Sequence, residues 1–270
     1  MRMTSIWAEE AGPPEAPLIV LIHGSMDRSA GLLRLSRRLD DCFRVLRYDR
    51  RGYGRSASTD PATDRFDMAA HVADLVALLA GRRALLVGHS YGGNVAMATA
   101  ARHQELAAAV AVYETPLSWE PWWPGTTAGA SATATEGDPG DAAERFMRRL
   151  LGDHLWESLP ERTRATRRAE GPAMVGELRD LQSNRPWLAD QIRCPLVVSY
   201  GSDGASHHQR GMRFVHDQVP GSECVVLTGC RHDAPMSNSQ LFASAVVGPA
   251  ARAAGDPWAE AFSRSAASRS

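Results

Sequence analysis

The sequence predicts an α/β fold: a doubly wound, mostly parallel sheet with a helical lid inserted after the strand that ends at Glu114. Short runs rich in Val, Ile and Leu alternate with longer helical patterns, which is typical of parallel sheets. The runs are continuously apolar, so the strands are expected to be covered on both faces. With 270 residues and 44% hydrophobic content, the chain suits one globular domain with an inserted subdomain.

The predicted strands and helices alternate along the chain. The strands are Pro17–His23, Phe43–Tyr48, Ala84–Gly88, Ala107–Tyr113, Pro195–Tyr200 and Cys224–Thr228. The helices are Ser29–Leu39, Phe66–Leu79, Gly93–His103 and His207–Val219. This order predicts parallel strands joined by crossover helices.

The interval from residue 115 to 190 departs from this alternation. It holds five of the seven tryptophans, a low-complexity patch, TTAGASATATEGDPGD, and an amphipathic helical pattern from Ala142 onward. An insertion of this kind between two strands is typical of a lid. We therefore predict a core at 1–114 and 191–248, a lid at 115–190, and a flexible C-terminal tail at 249–270.

Composition excludes several classes of function. The formal net charge of −1 gives no field that would attract nucleic acid or acidic membranes. The chain has no lysine, so it lacks the amine of Schiff-base catalysis and the lysine of a phosphate-binding loop. No apolar run approaches the roughly 20 residues of a membrane span, and residues 1–18 lack the apolar stretch of a signal peptide. We expect a soluble, cytoplasmic protein that binds neither nucleic acid nor membrane.

The cysteines show no C-x-x-C spacing, so neither a structural zinc site nor a disulfide framework is expected. They are Cys42, Cys194, Cys224 and Cys230. We expect them to be small buried apolar residues, and we predict no metal and no cofactor.

The strongest chemical signal is VGHSYGG, in which Gly88, Ser90 and Gly92 form a G-x-S-x-G motif. It lies where a buried strand ends and a helix begins. A sharp strand-to-helix turn strains the serine backbone and needs small neighbours, so that the hydroxyl projects above the sheet. Ser90 is therefore the candidate nucleophile, and a chance Gly/Ser turn is the alternative.

A nucleophilic serine needs a base, which in this chain order comes later. His232, in TGCRHDAP, follows the last predicted strand and can reach the sheet edge that carries Ser90. Most other histidines lie in helical patterns, and His89 points away from solvent by alternation. We assign the base to His232.

A candidate oxyanion hole follows the first buried strand, in LIHGSMDRS. The N–H of Ser25 and that of Tyr91, at the positive end of a helix, would stabilise a tetrahedral oxyanion. Because backbone groups donate, side-chain identity matters little at these positions. An ordinary glycine turn is the alternative for HGS taken alone.

Together, HGSMDRS, DRRGYGRS, GHSYGG and GCRHDAP resemble the motifs of the α/β-hydrolase family, in its serine-nucleophile branch. The resemblance runs from about Pro17 to Val247, with the motifs in the expected order. It implies the fold of that family and a mainly structural role for Asp49 and Arg51. The chain departs from the family at its N-terminus, where we expect one strand around Met3–Glu9 in place of a full hairpin.

Two carboxylates compete as the acid that orients the base. The resemblance implies an acid in a G-x-x-D turn after PLVVSY, yet Gly204 occupies that position and Asp203 lies one residue early. Glu114 closes the preceding strand, nearer Ser90, and some haloalkane dehalogenases resemble this arrangement. A buried carboxylate there would accept the Nδ1–H of the histidine and stabilise its cation. We assign the acid to Glu114 and keep Asp203 as the alternative; Asp233 is expected to be a surface or capping residue.

The leading hypothesis is a serine hydrolase that cleaves a carboxylic ester or related acyl compound through an acyl-enzyme on Ser90. Serine at this position argues against the haloalkane dehalogenases and epoxide hydrolases, which use Asp there. One alternative is a C–C bond hydrolase, perhydrolase, acyltransferase or thioesterase with the same triad. Another is a small-ligand-binding protein of the same fold without turnover.

Tryptophans at the start of the lid suggest a small apolar or aromatic acyl substrate. Trp119, Trp122 and Trp123 follow Glu114 closely and are the candidate substrate-binding residues. Packing of the lid on the core explains the same residues equally well.

Overall fold

The computed structural model describes residues 6–57, 64–134 and 136–267. In this part of the chain, one sheet contains seven strands. They are β1 (Ala8–Ala11), β2 (Leu18–Ile22), β3 (Arg44–Tyr48), β4 (Ala84–His89), β5 (Ala107–Tyr113), β6 (Leu196–Gly201) and β7 (Glu223–Leu227). Their order across the sheet is β1-β3-β2-β4-β5-β6-β7, with β1 antiparallel to β3 and every other neighbouring pair parallel. The predicted α/β class with a mostly parallel sheet is confirmed.

Helices connect the strands and continue beyond β7. They are α1 (Leu33–Leu39), α2 (Met68–Leu79), α3 (Tyr91–Arg102), α4 (Ala128–Thr133), α5 (Pro139–Leu151), α6 (Asp153–Ser158), α7 (Glu161–Ala169), α8 (Gly171–Ser183), α9 (Ser206–Gln218), α10 (Ala234–Ser237), α11 (Ser239–Phe242), α12 (Gly248–Ala253) and α13 (Asp256–Ala267). A π-helical turn joins α11 to α12. Among the described residues, no helix is both long and apolar enough to cross a membrane.

The centre of the sheet is buried on both faces, as its continuous apolar strands predict. Alternate residues of β2 point to opposite sides. Val20 and Ile22 pack with α2, α3 and α9, whereas Ile19 and Leu21 pack with α1, α12 and α13. The central strands β2, β4 and β5 are buried along their whole length.

The first strand begins later in the chain than predicted. We expect a strand at Met3–Glu9, of which residues 3–5 lie outside the described residues. The observed strand is Ala8–Ala11, and its partners run from Tyr48 to Val45 in β3.

Helices α4 to α8 lie between β5 and β6 and have an apolar core of their own. Phe146, Met147 and Trp156 are buried there with Met174, against Tyr53 of the core domain. The low-complexity patch is not featureless, because it contains α4 and the start of α5. The Asp138 side chain caps α5 by accepting the Asp141 N–H at 3.0 Å. We refer to residues 115–190 as the helical insertion.

The structure contradicts the predicted flexible tail at 249–270. Residues up to 267 continue as α12 and α13, and residues 268–270 lie outside the described part. Trp258 is 8% exposed, and its Nε1–H donates to the Leu18 carbonyl at 3.0 Å. Apolar side chains at Trp258, Ala261 and Phe262 give α13 one face that covers the sheet.

Parallel strands bring their carboxyl ends to one edge of the sheet. The residues that follow β2, β4, β5 and β6, and the loop after β7, therefore meet at that edge. All of the predicted site residues from the strand ends lie in these segments.

Candidate active site

Ser90 occupies a strained turn between β4 and α3, with φ 54° and ψ −125°. Positive φ is rare for a residue other than glycine and persists only where the surroundings enforce it. The Ser90 N–H donates to the Tyr113 carbonyl at 2.9 Å. A Cβ at Gly92 would lie 2.3 Å from a β2 carbonyl oxygen, and one at Gly88 would lie 2.5 Å from the α3 backbone. The turn thus needs both glycines, and it presents a partly exposed serine at the sheet edge.

His232 and Glu114 form a direct hydrogen bond at the same edge. The Nδ1–H of His232 donates to Glu114 Oε2 at 2.7 Å. The glutamate side chain is 0% exposed, whereas that of His232 is 33% exposed. The Gly201 N–H donates to the other carboxylate oxygen at 3.0 Å, so both oxygens of this buried group have donors. This pairing fixes the histidine tautomer and leaves Nε2 free to accept a proton.

Asp203 lies at the end of β6 but faces solvent. Its carboxylate accepts from Ser202 Oγ at 2.8 Å, and its backbone N–H donates to the Cys230 carbonyl at 3.0 Å. The structure therefore pairs His232 with Glu114, and it places Asp203 in an exposed turn.

Two further histidines surround the base. The Nε2–H of His89 donates to the His232 carbonyl at 2.8 Å, and the ring of His208 stacks on that of His232 with centroids 4.8 Å apart. Burial, with repulsion from His232, lowers the pKa of His89 to about 3. Burial and the same neighbour hold the pKa of His208 well below its usual value. Both rings are neutral at neutral pH, so neither adds positive charge beside the base.

Gly24 brings the first loop into contact with the nucleophile. A Cβ on Gly24 would lie 2.9 Å from Ser90 Cβ, so only glycine allows this approach. Within the described residues, neither the Ser25 N–H nor the Tyr91 N–H has a hydrogen-bond acceptor. Two unsatisfied donors beside a serine hydroxyl can receive an oxyanion.

Ser90 and His232 are not hydrogen-bonded to each other in the described part of the chain. His89 links them: it is adjacent to Ser90 in sequence, and its ring binds the His232 carbonyl. Without substrate, catalytic hydrogen bonds are often long and shorten only in the reacting complex.

Residues 19–245 match the model of the alpha/beta hydrolase family. The chain belongs to the alpha/beta hydrolase family. Over 245 residues, the hydrolase is 29% identical to the pimeloyl-[acyl-carrier protein] methyl ester esterase of Chromobacterium violaceum, which covers 86% of this chain and 93% of that protein. Over 165 residues, it is 32% identical to epoxide hydrolase A of Mycobacterium tuberculosis, covering 53% of this chain and 50% of that protein.

The solved structure of the enol-lactonase from Burkholderia xenovorans is similar across most of the molecule. It has a TM-score of 0.65 and 26% sequence identity, and the match covers 88% of this chain and 94% of that chain. The predicted resemblance is confirmed, and the protein is a hydrolase enzyme of this family.

Two of the three candidate tryptophans of the hydrolase pack on other aromatic rings. Trp119 lies against Trp187 with ring centroids 5.5 Å apart, and Trp122 lies against Phe214 at 5.5 Å. Both are partly buried against the main core and contribute to its packing. That they also contact substrate stays a prediction.

Trp123 lies beside the site histidines. Its ring centroid is 5.0 Å from that of His207 and 5.5 Å from that of His208. Because His208 stacks on His232, an aromatic wall extends from Trp123 to the base.

Glu114, His208 and His232 offer ligand atoms that lie within 4.8 Å of one another. The two rings are stacked with an interplanar angle of 18°. Their nitrogen lone pairs lie in nearly parallel planes and do not converge on one point. The donor set therefore fits a hydrogen-bonded histidine better than a metal centre.

Sequence reasoning missed three residues around the site: His208, Arg50 and Glu177. The sequence predicts His208 only as part of the helix His207–Val219, and its contact with Trp123 is seen in the structure. Arg50 and Glu177 are 127 positions apart and form a buried ion pair. Nothing in either local sequence indicates the other partner.

Proposed function

We propose that the protein is a serine hydrolase that cleaves a carboxylic ester or lactone through an acyl-enzyme on Ser90. The observation that carries this proposal is the common edge shared by the strained Ser90 and the His232–Glu114 pair. The proposal includes the cytoplasmic location and the small apolar or aromatic acyl substrate expected from the sequence.

In the proposed reaction, Ser90 Oγ attacks the ester carbonyl carbon while His232 Nε2 takes the hydroxyl proton. The N–H groups of Ser25 and Tyr91 stabilise the oxyanion, and Glu114 stabilises the histidine cation. The C–O bond then breaks as His232 returns the proton to the leaving alkoxide. Water repeats the attack on the acyl group with the same base, which releases the carboxylic acid and restores Ser90.

Several findings support an ester as the substrate. A hydroxyl at position 90 forms the ester intermediate typical of acyl transfer, whereas epoxide opening in this fold uses a carboxylate nucleophile. The Chromobacterium violaceum relative is a methyl ester esterase, and the Burkholderia xenovorans neighbour is an enol-lactonase, which opens a cyclic ester. Trp123 and His208 supply an aromatic wall beside the base.

The test is pre-steady-state release of p-nitrophenol from p-nitrophenyl acetate, butyrate and benzoate. We expect a burst approaching one equivalent per chain wherever deacylation is the slow step. Ser90→Ala should abolish both the burst and turnover. Ser202→Ala, which removes an exposed hydroxyl from the same edge, should retain both.

Two results would contradict the proposal: turnover that survives Ser90→Ala, or no turnover of any ester or lactone by the wild-type protein. Retained binding of an aromatic ester without turnover would favour the ligand-binding alternative.

A further inference from the structure

A buried ion pair joins the helical insertion to the core domain, next to the loop after β2 (residues 23–28), which we call the oxyanion loop. Arg50 follows β3, Glu177 lies on α8, and both side chains are 0% exposed. Arg50 Nη1 donates to Glu177 Oε1, and Arg50 Nη2 lies 3.3 Å from Oε2. A buried charge requires a partner, so the position of Arg50 depends on the insertion.

Arg50 also binds the backbone of the oxyanion loop. Its Nε donates to the His23 carbonyl at 2.9 Å, and its Nη2 donates to the Gly24 carbonyl at 3.1 Å. The Nδ1–H of His23 donates to the same Gly24 oxygen at 2.8 Å. The Arg50 N–H in turn donates to His23 Nε2 at 2.9 Å, which fixes the tautomer.

These bonds determine the direction of the Ser25 N–H. In a planar trans peptide, the C=O and the N–H point in opposite directions. Arg50 and His23 hold the Gly24 carbonyl on one side, so the Ser25 N–H of the same peptide points to the other. Gly24 is in contact with Ser90, which places this peptide beside the nucleophile.

Glu177 connects Arg50 to the other groups around this peptide. Its Oε2 accepts from Ser25 Oγ at 2.9 Å and from Tyr53 OH at 2.8 Å. Its Oε1 lies 2.9 Å from His71 Nε2. Burial opposes ionisation, but Arg50 and His71 overcome it and lower the pKa of Glu177 to about 2. The ionised carboxylate of Glu177, in the insertion, thus binds Arg50 and also binds Ser25 of the oxyanion loop.

We propose that Glu177, acting through Arg50, is a positioning residue that orients the Gly24–Ser25 peptide, so that the oxyanion hole depends on α8 being docked. The inference rests on the proposed function. Neither residue touches the reacting atoms; their effect is on the direction of one N–H group. The insertion therefore contributes to transition-state stabilisation.

Glu177→Gln tests the proposal, with Glu170→Gln as the matched control. Glu170 is also a buried carboxylate at the start of α8, and it pairs with Arg28 and Arg167 without contacting the Gly24 carbonyl or Arg50. With p-nitrophenyl butyrate, we expect Glu177→Gln to lower kcat by about 10- to 100-fold with little change in KM. Glu170→Gln should change kcat less than about threefold, even where it lowers the melting temperature.

A transition-state analogue separates positioning from loss of fold. A trifluoromethyl ketone forms a hemiketal with Ser90 and places its oxyanion in the hole, so its inhibition constant should rise in proportion to the fall in kcat/KM. Equal effects of Glu177→Gln and Glu170→Gln on these two quantities would overturn the proposal.

The double variant Arg50→Met/Glu177→Gln covers the case in which the single variant folds poorly. Removing both charges avoids an unpaired buried arginine, so its melting temperature should recover toward that of the wild type. We expect kcat to stay low, because the Gly24 carbonyl has lost its cationic donor. Recovery of kcat together with stability would show that the pair is merely structural.

Hydrogen exchange of residues 20–25, measured by mass spectrometry, tests the order of the loop independently of turnover. Arg28, which Glu170 binds, lies outside this segment. Exchange should be faster in Glu177→Gln than in Glu170→Gln, and equal rates would overturn the positioning role. If the wild type shows no Ser90-dependent turnover, the proposed function is wrong, and so is the catalytic role inferred for the Arg50–Glu177 pair. If the wild type shows Ser90-dependent turnover but Glu177→Gln and Glu170→Gln behave alike, the proposed function stands and the positioning role of Glu177 is wrong.

Discussion

At the residue scale, the carboxylate of Glu114 fills the space that a side chain at position 204 would need. A Cβ on Gly204 would lie 2.4 Å from Glu114 Oε1. The glycine at the position where the family usually carries its acid therefore makes room for an acid from the neighbouring strand. Glu114 itself has φ 46°, a strained backbone held by its hydrogen bonds to β6 and to His232.

This geometry predicts unequal effects for the two candidate acids. Glu114→Gln should lower kcat by roughly 10³- to 10⁴-fold, because loss of an orienting carboxylate leaves the histidine in the wrong tautomer and its cation unpaired. Asp203→Asn should change kcat by less than about threefold, since its side chain faces solvent and its hydrogen-bond partner is the exposed Ser202. Steady-state hydrolysis of p-nitrophenyl butyrate by the two variants gives the comparison. A large loss in Asp203→Asn with a small loss in Glu114→Gln would reverse the assignment.

At the scale of elements, Trp258 joins α13 to the sheet. Trp258 packs among the residues of one sheet face and donates to the Leu18 carbonyl. We expect Trp258→Ala to lower the free energy of unfolding by about 3 to 5 kcal/mol, as for a buried large-to-small change. Arg264→Ala, on the exposed side of the same helix, should change it by less than about 0.5 kcal/mol. Urea unfolding followed by circular dichroism measures both, and equal midpoints would show that the helix contributes little.

Sequence predicts elements well where the local pattern has one explanation. The buried runs of β2, β4 and β5 are such cases, and so is the turn at Ser90, because its glycines and flanking strand leave few alternatives. The composition of the C-terminal segment, in which Ala, Ser and Arg dominate, suggests a tail, whereas Trp258, Ala261 and Phe262 follow the spacing of one helix face. Contacts between segments that are distant in the sequence cannot be predicted from such local patterns.

The ion pair beneath the oxyanion loop shows why such contacts escape prediction. Arg50 stands in a run of arginines that favours a surface turn, and Glu177 stands in an ordinary amphipathic helix. Only the packing of α8 against the core makes both fully buried. The position of an inserted helix depends on many weak apolar contacts, and no single motif encodes it.

At the scale of the whole molecule, buried neutral histidines link stability to pH. His23, His71 and His89 are each less than 10% exposed, and burial is the first cause that lowers the pKa of every one. For a histidine with a lowered pKa, the unfolded chain binds the extra proton. The free energy of unfolding therefore falls as the pH drops below the ordinary histidine value of about 6.5.

Between pH 6.5 and 5, the contribution of these histidines to the free energy of unfolding changes while that of Glu177 does not. The pKa of that carboxyl is lowered to about 2, so its contribution is lost only as the pH falls through the range from 4.5 to 2. For His89, with a pKa of about 3, the stabilisation declines from pH 6.5 down to about 3. At pH 5 the loss from this one residue is about 2 kcal/mol, at about 1.4 kcal/mol per pH unit.

His89→Gln should remove that dependence while keeping a donor for the His232 carbonyl. Between pH 6.5 and 5, the free energy of unfolding of the wild type should fall more steeply than that of the variant. The difference in slope should approach about 1.4 kcal/mol per pH unit, the value for one additional proton bound by the unfolded chain. His154→Gln, which replaces an exposed histidine on α6, is the control for the loss of an imidazole from the surface. Urea titrations at half-unit pH intervals measure all three slopes, and the comparison cancels every group that the variants share. Identical slopes for wild type and His89→Gln would mean that His89 is already protonated in the native protein, and the neutral ring assigned beside His232 would be wrong.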